Sequence, residues 1–80
     1  MATITATDDH GQSVTVKARV HDITETGACL ESPQSFPCGS SVFVNLLKRR
    51  LMGTAIARHC TPAGSAYQIG LQFQKPLSKY

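Results

Sequence analysis

The chain alternates between apolar and polar residues over most of its length, which is the pattern of half-buried strands. Residues 2–7 alternate apolar and hydroxyl side chains, and residues 14–21 place an apolar side chain at every even position. The turn-forming residues 8–13 separate these two segments, so we predict an antiparallel β-hairpin. On its second strand, Arg19 and His21 would then lie on the outer face.

Four further apolar segments, separated by turn signals, predict four more strands. They cover residues 28–31, 42–47, 51–60 and 67–73, with a loop at 32–41, a basic connection at 48–50 and a turn at 61–65. No window of a dozen residues holds a helical apolar stripe, although residues 76–80 could begin a short C-terminal helical segment. Six short strands in a small chain favour closure, because a barrel leaves no exposed strand edge. The predicted fold class is therefore all-β, a small six-stranded antiparallel barrel.

The same alternation predicts which side chains fill the barrel. The inward-facing residues are expected to be Ile4, Val14, Val16, Ala18, Val20, Leu30, Val42, Val44, Leu46, Ile56, Tyr67, Ile69, Leu71 and Phe73. With 80 residues and 41% apolar content, the chain can build one core and is too short for two. We expect residues 1–80 to form a single domain.

Composition narrows the setting in which this domain works. Three cysteines cannot all pair as disulfides, and no targeting segment precedes the first strand, so we expect a reducing, cytoplasmic location. The apolar runs are far shorter than the roughly 20 residues of a membrane-spanning helix, so no membrane insertion is expected. A net charge of +3 favours an anionic partner.

Candidate chemistry is concentrated in the hexapeptide that follows the second strand, residues 22–27. A carboxylate such as that of Asp22 can accept hydrogen bonds from the N1 and N2 donors of guanine, the Thr24 hydroxyl can donate or accept, and Gly27 allows backbone conformations that a Cβ forbids. The same residues could instead form local turns, with Asp22 and Thr24 bonding backbone donors and Gly27 at a positive φ. Both interpretations stay open on the sequence alone.

These residues resemble the PilZ family. In that family a strand ends in Asp or Asn, followed by x-Ser-x-x-Gly, and the chain later returns with a Gly-x-x-Phe strand; here the matches are Asp22, Thr24, Gly27 and residues 70–73. The similarity covers nearly the whole chain in order. It implies a non-enzymatic domain without a cofactor, which binds cyclic di-GMP at this corner and passes the signal to a partner protein or a fused output domain.

The sequence departs from the family in its arginines. Ligand-binding members carry an Arg-x-x-x-Arg segment before the first strand, where each guanidinium can form a fork with a phosphate. The arginines of this chain are Arg19, Arg49, Arg50 and Arg58, and no two are four residues apart. Either the pair precedes Met1 in the natural protein or it has been lost, and we expect this chain alone to bind the nucleotide weakly or not at all.

Two arginines are further candidates for ligand or partner contacts. Arg19 lies three residues before Asp22, an offset that alternation assigns to the opposite face unless a bulge intervenes. Arg58 occupies a strand position at which the family often has a basic residue. The alternatives are a solvated arginine of the barrel face for Arg19 and a cross-strand charge or hydrogen-bond role for Arg58.

Other functional classes receive less support. No pair among the histidines and cysteines has the spacing of a metal site, so none is predicted for His59, Cys60 and Cys38. No nucleophile, metalloprotease or phosphate-loop motif is present, so we do not expect an enzyme. The leading hypothesis is a cyclic di-GMP receptor-type domain. The alternatives are a PilZ-type protein-interaction module that binds no nucleotide, and a small basic barrel that binds RNA or DNA through residues 48–50.

Overall fold

A computed structural model describes residues 2–7 and 11–80 of the chain, and these form seven strands. The strands are β1 (Ala2–Thr7), β2 (Ser13–Ile23), β3 (Gly27–Ser32), β4 (Ser41–Leu46), β5 (Leu51–Ala63), β6 (Ala66–Phe73) and β7 (Ser78–Lys79). The first six were predicted, with ends that differ by up to three residues. The described residues contain no apolar helix of the length that crossing a bilayer requires.

The first six strands close into an antiparallel barrel. The order is β4-β1-β2-β3-β6-β5, and β4 also pairs with β5, which completes the ring. The predicted fold class is confirmed. Part of the predicted turn at 8–13 lies outside the described residues, but the hairpin that it connects is present, with Ile4 opposite Val16 and Ala6 opposite Val14.

The core follows the predicted alternation with two exceptions, Ile56 and Val14. Nine of the predicted inward residues are buried, and Val16, Val20 and Tyr67 pack partly against them. Ile56 was assigned to the interior incorrectly, because its neighbours Ala55 and Ala57 are both 0% exposed while Ile56 is half-buried. The alternation of β5 is hidden in the sequence, since small alanines occupy its inner face and the large apolar residue lies outside. Val14 is likewise only half-buried.

The loop between β3 and β4 contributes to the core at one end of the barrel. Phe36 is only 5% exposed and packs within the core cluster, although the sequence pattern assigned it to a surface loop. Ser32, which is fully buried, donates to the Gln34 carbonyl at 2.8 Å and accepts from the Gln34 amide at 3.1 Å. A buried hydroxyl with both bonds made costs little, and here it shapes the turn that brings Phe36 inwards.

Two β-bulges interrupt the ladders. On β2, Val20 pairs with Leu30 but Asp22 pairs with Cys29, so one residue is extra; on β5, Ala57 pairs with Leu71 but His59 pairs with Gly70. A bulge changes which side chains face outwards beyond it. The sequence pattern does not reveal either one.

The C-terminal segment, residues 74–80, is not helical. Ser78 and Lys79 pair with Met52 and Leu51, the first two residues of β5. This pairing uses the same edge of β5 that pairs with β6 from Ala55 onwards. The helical start suggested for residues 76–80 was therefore wrong. The turn predicted at 61–65 is also shorter than expected, because β5 continues to Ala63 and only Gly64 and Ser65 remain in it.

Candidate functional site

The hexapeptide lies at the end of the barrel opposite the loop that carries Phe36. The same end holds the start of β1, the end of β6 and the β4–β5 connection at residues 47–50, which we call the basic turn. The register establishes this arrangement, because Ala2 pairs with Leu46 and the Phe73 amide donates to the Thr26 carbonyl at 2.8 Å. The β4–β5 connection, the segment after β6 and the start of β1 therefore lie at the same barrel end as the hexapeptide.

Thr24 organises the backbone of the hexapeptide. Its hydroxyl oxygen accepts from the amides of Thr26 at 3.3 Å and Gly27 at 3.2 Å, and its own amide donates to the Gly27 carbonyl at 2.8 Å. This is the local turn considered as an alternative on the sequence. The oxygen of Thr24 is therefore occupied by backbone donors and shapes the corner.

Asp22 presents an exposed carboxylate beside this turn. One oxygen, Oδ1, accepts from the Ile23 amide at 2.9 Å, and no described residue pairs with the other. The bulge on β2 places Asp22 opposite Cys29 and Arg19 opposite Glu31, so both lie on the outer face. Simple alternation had put them on opposite faces, and the bulge reverses that expectation.

Gly27 is needed for space and not for an unusual backbone angle. Its φ is not positive, which corrects the expectation from the turn interpretation, whereas Gly11, Gly39 and Gly64 do have positive φ. A Cβ on Gly27 would clash with the carbonyl oxygen of Leu71 on β6. The glycine lets β3 begin directly against β6.

Two open grooves flank the hexapeptide. The larger, of about 510 Å³, is lined by Ile23, Thr24, Glu25, Arg49, Leu51, Phe73, Pro76 and Leu77. The smaller, of about 370 Å³, is lined by Val20, His21, Asp22, Ile23, Leu46, Lys48 and Arg49. We call them the apolar groove and the Asp22 groove. Ile23 and Arg49 line both, so the two grooves meet at these residues.

Arg49 is a site residue that the sequence named only within residues 48–50, as a possible nucleic-acid contact, and did not connect with Asp22. Within the described part of the chain, its guanidinium makes no hydrogen bond or ion pair. From the sequence, residues 48–50 were a charged hairpin tip at some unknown distance from Asp22. Only closure of the barrel, with β4 paired to both β1 and β5, brings that tip to the hexapeptide.

The basic turn is held by the C-terminal segment. The Tyr80 amide donates to the Arg50 carbonyl at 2.9 Å, its hydroxyl bonds Asn45 Oδ1 at 2.6 Å, and its ring lies 5.7 Å from the Arg50 guanidinium carbon. Arg50 has a φ of 55°, the left-handed conformation that ends the turn. Of the two arginines in this turn, Arg50 is thus engaged by Tyr80.

The comparison with protein families agrees with this geometry. The family model for the PilZ domain matches residues 1–79. The chain belongs to the PilZ domain family. PilZ domains are non-enzymatic binding and signalling domains that generally bind cyclic di-GMP and interact with partner proteins. No curated protein and no solved structure matched the chain.

Two of the PilZ-derived candidates lie away from both grooves. Arg19 lines a different depression with Ser65 and Ala66, and Arg58 occupies the bulge on β5, where its Nε donates to Gln72 Oε1 at 2.5 Å. The structure therefore brings together Asp22, Thr24 and Gly27 but does not place either arginine in the grooves beside them.

The Gly-x-x-Phe strand of the PilZ resemblance, residues 70–73, lies beside the hexapeptide, because β6 pairs with β3 from Gly27 onwards. Gly70 is covered by the imidazole of His59, which occupies the place that a Cβ would take, and Phe73 lines the apolar groove. Among residues 2–7 and 11–80 no three metal-ligating side chains come together. His10 falls outside those ranges.

Proposed function

We propose that this PilZ domain is a cyclic di-GMP receptor-type module that binds the nucleotide at the barrel end formed by the hexapeptide and the basic turn. The observation that supports it most strongly is that an exposed Asp22 carboxylate and the unpaired cation of Arg49 line one continuous pair of grooves. Such a receptor would work in the bacterial cytoplasm, where this messenger acts.

Asp22 is suited to recognise guanine. A carboxylate has about four lone-pair positions, and Asp22 uses one of them for the Ile23 amide. The N1–H and N2–H donors of guanine lie side by side, so one carboxylate can accept both, and hydrogen bonds to a charged acceptor are stronger than neutral ones. Adenine presents an acceptor at N1 and therefore does not match this arrangement.

Thr24 and Gly27 would support recognition indirectly. Because the Thr24 oxygen accepts the amides of Thr26 and Gly27, we assign it the role of holding the turn beside Asp22 in place. Gly27 has the same kind of role through its close approach to Leu71. Neither residue needs to touch the nucleotide for its replacement to weaken binding.

The apolar groove offers a surface for a base. Leu51, Phe73 and Leu77 line it, and its volume of about 510 Å³ lies within the range of small-molecule sites. A purine could pack on these side chains while its neighbour in the dinucleotide meets Asp22. Burial of this kind adds affinity without the arginine pair typical of the family.

Affinity should nevertheless be lower than in PilZ domains that have the pair. Each charge-assisted phosphate contact contributes about 1.5 to 3 kcal/mol, so two missing contacts correspond to roughly two to four decades in Kd. The proposed function is therefore that of a weak receptor, or of one whose upstream residues complete the site.

Calorimetry with Asp22→Ala tests the proposal. We expect the parent chain to bind cyclic di-GMP and to ignore cyclic di-AMP, and Asp22→Ala to lose at least about tenfold in affinity, since it removes charge-assisted bonds. Glu31→Ala is the matched control, because it removes a carboxylate from the same outer face that bonds His21 instead. Equal losses in both variants would refute the proposal, as would the absence of binding both by the parent chain and by a version extended with its natural upstream residues.

A second candidate is the protein-interaction module without nucleotide binding. Phe43, Leu47 and Tyr80 are exposed by 39%, 47% and 42%, and the Tyr80 bond to Asn45 places them along the outer side of β4. Exposed large apolar side chains on one face are typical of interaction surfaces. If calorimetry detects no nucleotide, this surface becomes the better explanation of the domain.

A further inference from the structure

We infer that Arg49, on the basic turn, is the phosphate-binding residue of this barrel end, with Lys48 adding charge beside it. The inference rests on the proposed function, because it names the group that meets the phosphates of the nucleotide. Its position is the first argument. Arg49 lines both grooves, so it lies where the groove with the carboxylate that would hold one base meets the apolar groove that would hold another.

That intermediate position is where a dinucleotide carries its charge. In any molecule with two bases joined through phosphates, the phosphates lie between the bases. A guanidinium has five donors in a planar fork that matches two phosphate oxygens at once. Arg49 is therefore placed and shaped for the linkage of the ligand.

The second argument is that Arg49 is free to bind, whereas two other arginines are engaged. Arg50 lies against the Tyr80 ring, and Arg58 donates to Gln72. Arg49 is exposed, and its guanidinium makes no hydrogen bond or ion pair with any residue in the described ranges. Binding a phosphate would cost it no existing interaction.

The third argument is that its backbone is held in place. The Arg49 amide donates to the Leu46 carbonyl at 3.2 Å, and the next residue's amide donates to Leu47 at 3.3 Å. Tyr80 and β7 secure the far side of the same turn. A site on a backbone that is already ordered loses less entropy on binding than one on a free loop.

One residue opposes the anion. Glu25 lines the apolar groove together with Arg49, and its carboxylate would repel a phosphate there. The lining of the two grooves therefore contains two cationic side chains, Lys48 and Arg49, and two carboxylates, Asp22 and Glu25. Neutralising Glu25 should strengthen anion binding, whereas replacing Asp22 by alanine should weaken binding of cyclic di-GMP.

The first test is a calorimetric titration of cyclic di-GMP into the parent chain and into four variants. Arg49→Gln should weaken binding about 10- to 100-fold, as expected for a charge-assisted contact, and Arg49→Lys should recover only part of the loss. Glu25→Gln should tighten binding. Lys17→Gln removes one positive charge from an exposed position on β2 away from the grooves and should change the affinity less than about twofold.

A second measurement separates this inference from the proposed function. In nitrogen-15 spectra, the Arg49 Nε–Hε signal should move on titration with GMP and stay in place with guanosine, which has the base but no phosphate. If neither the parent chain nor a version extended with its natural upstream residues binds cyclic di-GMP, yet this signal responds to GMP and not to guanosine, the proposed function fails and the phosphate site stands. If the parent chain binds cyclic di-GMP and Arg49→Gln binds equally well, the phosphate site is refuted and the function stands. A signal that responds equally to GMP and guanosine, or to neither, also refutes it.

Discussion

At the scale of single residues, two positions on the strands beside the hexapeptide require glycine, because a Cβ there would clash with a neighbouring strand. Gly27 and Gly70 both leave room on neighbouring strands, but the neighbours differ in how easily they can move. At Gly27 the obstacle to a Cβ is the backbone carbonyl of Leu71, and at Gly70 it is the exposed ring of His59. Backbone in a closed barrel cannot shift without disturbing paired strands, whereas a surface imidazole can rotate away.

We therefore expect Gly27→Ala to destabilise the fold more than Gly70→Ala. Overpacking typically costs about 1 to 3 kcal/mol, and we place Gly27→Ala at the upper end and Gly70→Ala at the lower. Urea unfolding of both variants measures the difference. His59→Ala should relieve the cost of Gly70→Ala but leave that of Gly27→Ala unchanged, so equal behaviour of the two glycines in that background would contradict the explanation.

At the scale of elements, the C-terminal segment holds the basic turn. β7 pairs with Leu51 and Met52, Leu77 packs on Gly53, and Tyr80 bonds both Arg50 and Asn45. Pro76 and Leu77 also line the apolar groove. The segment thus connects a proposed ligand surface to the turn that carries the proposed phosphate-binding residue.

Removing the last three residues should therefore weaken ligand binding without unfolding the barrel. Deletion of residues 78–80 removes a two-residue strand and Tyr80 but no buried core residue. We expect a small loss of stability and a clear loss of cyclic di-GMP affinity by calorimetry, because the turn becomes less ordered.

Tyr80→Phe supplies the finer version of that experiment. It removes only the hydroxyl bonded to Asn45, and it keeps the backbone bond and the aromatic ring near Arg50. Its affinity should fall between those of the parent and the deletion. Unchanged affinity in the deletion would show that the turn does not need this support.

At the scale of the whole molecule, one small core supports every element of the site. Leu30 and Ile69, two of the largest fully buried side chains, face each other from adjacent strands. Small domains have only a few kcal/mol of net stability, so the loss of one such side chain is a large fraction of it. Function and folding are consequently hard to separate by core mutations.

Leu30→Ala should cost about 2 to 5 kcal/mol and leave much of the protein unfolded at 37 °C. Leu47→Ala is the control, because Leu47 is 47% exposed on the basic turn and should cost less than about 0.5 kcal/mol. Thermal melting followed by circular dichroism measures both. If the proposed function holds, cyclic di-GMP in excess should raise the melting temperature of the parent chain, because the proposed site exists only in the folded form.

The sequence alone determined the strands and the hexapeptide. Alternation of apolar and polar residues has a period of two in any strand, so local reading located the six barrel strands, and Asp22, Thr24 and Gly27 are close in sequence as well as in space. It missed Phe36, Ile56 and β7, because a buried loop residue, an alanine-lined inner face and a two-residue strand leave no periodic signal.

Only the tertiary structure decided which distant residues share the site. The bulge on β2 set the face of Asp22, and closure between β1 and β4 brought Arg49 to it across more than twenty residues of chain. Both depend on the hydrogen-bond register between two strands, and this register cannot be predicted from the sequence of either strand alone. The hexapeptide could thus be found from sequence, while the cation beside it could be found only in the closed barrel.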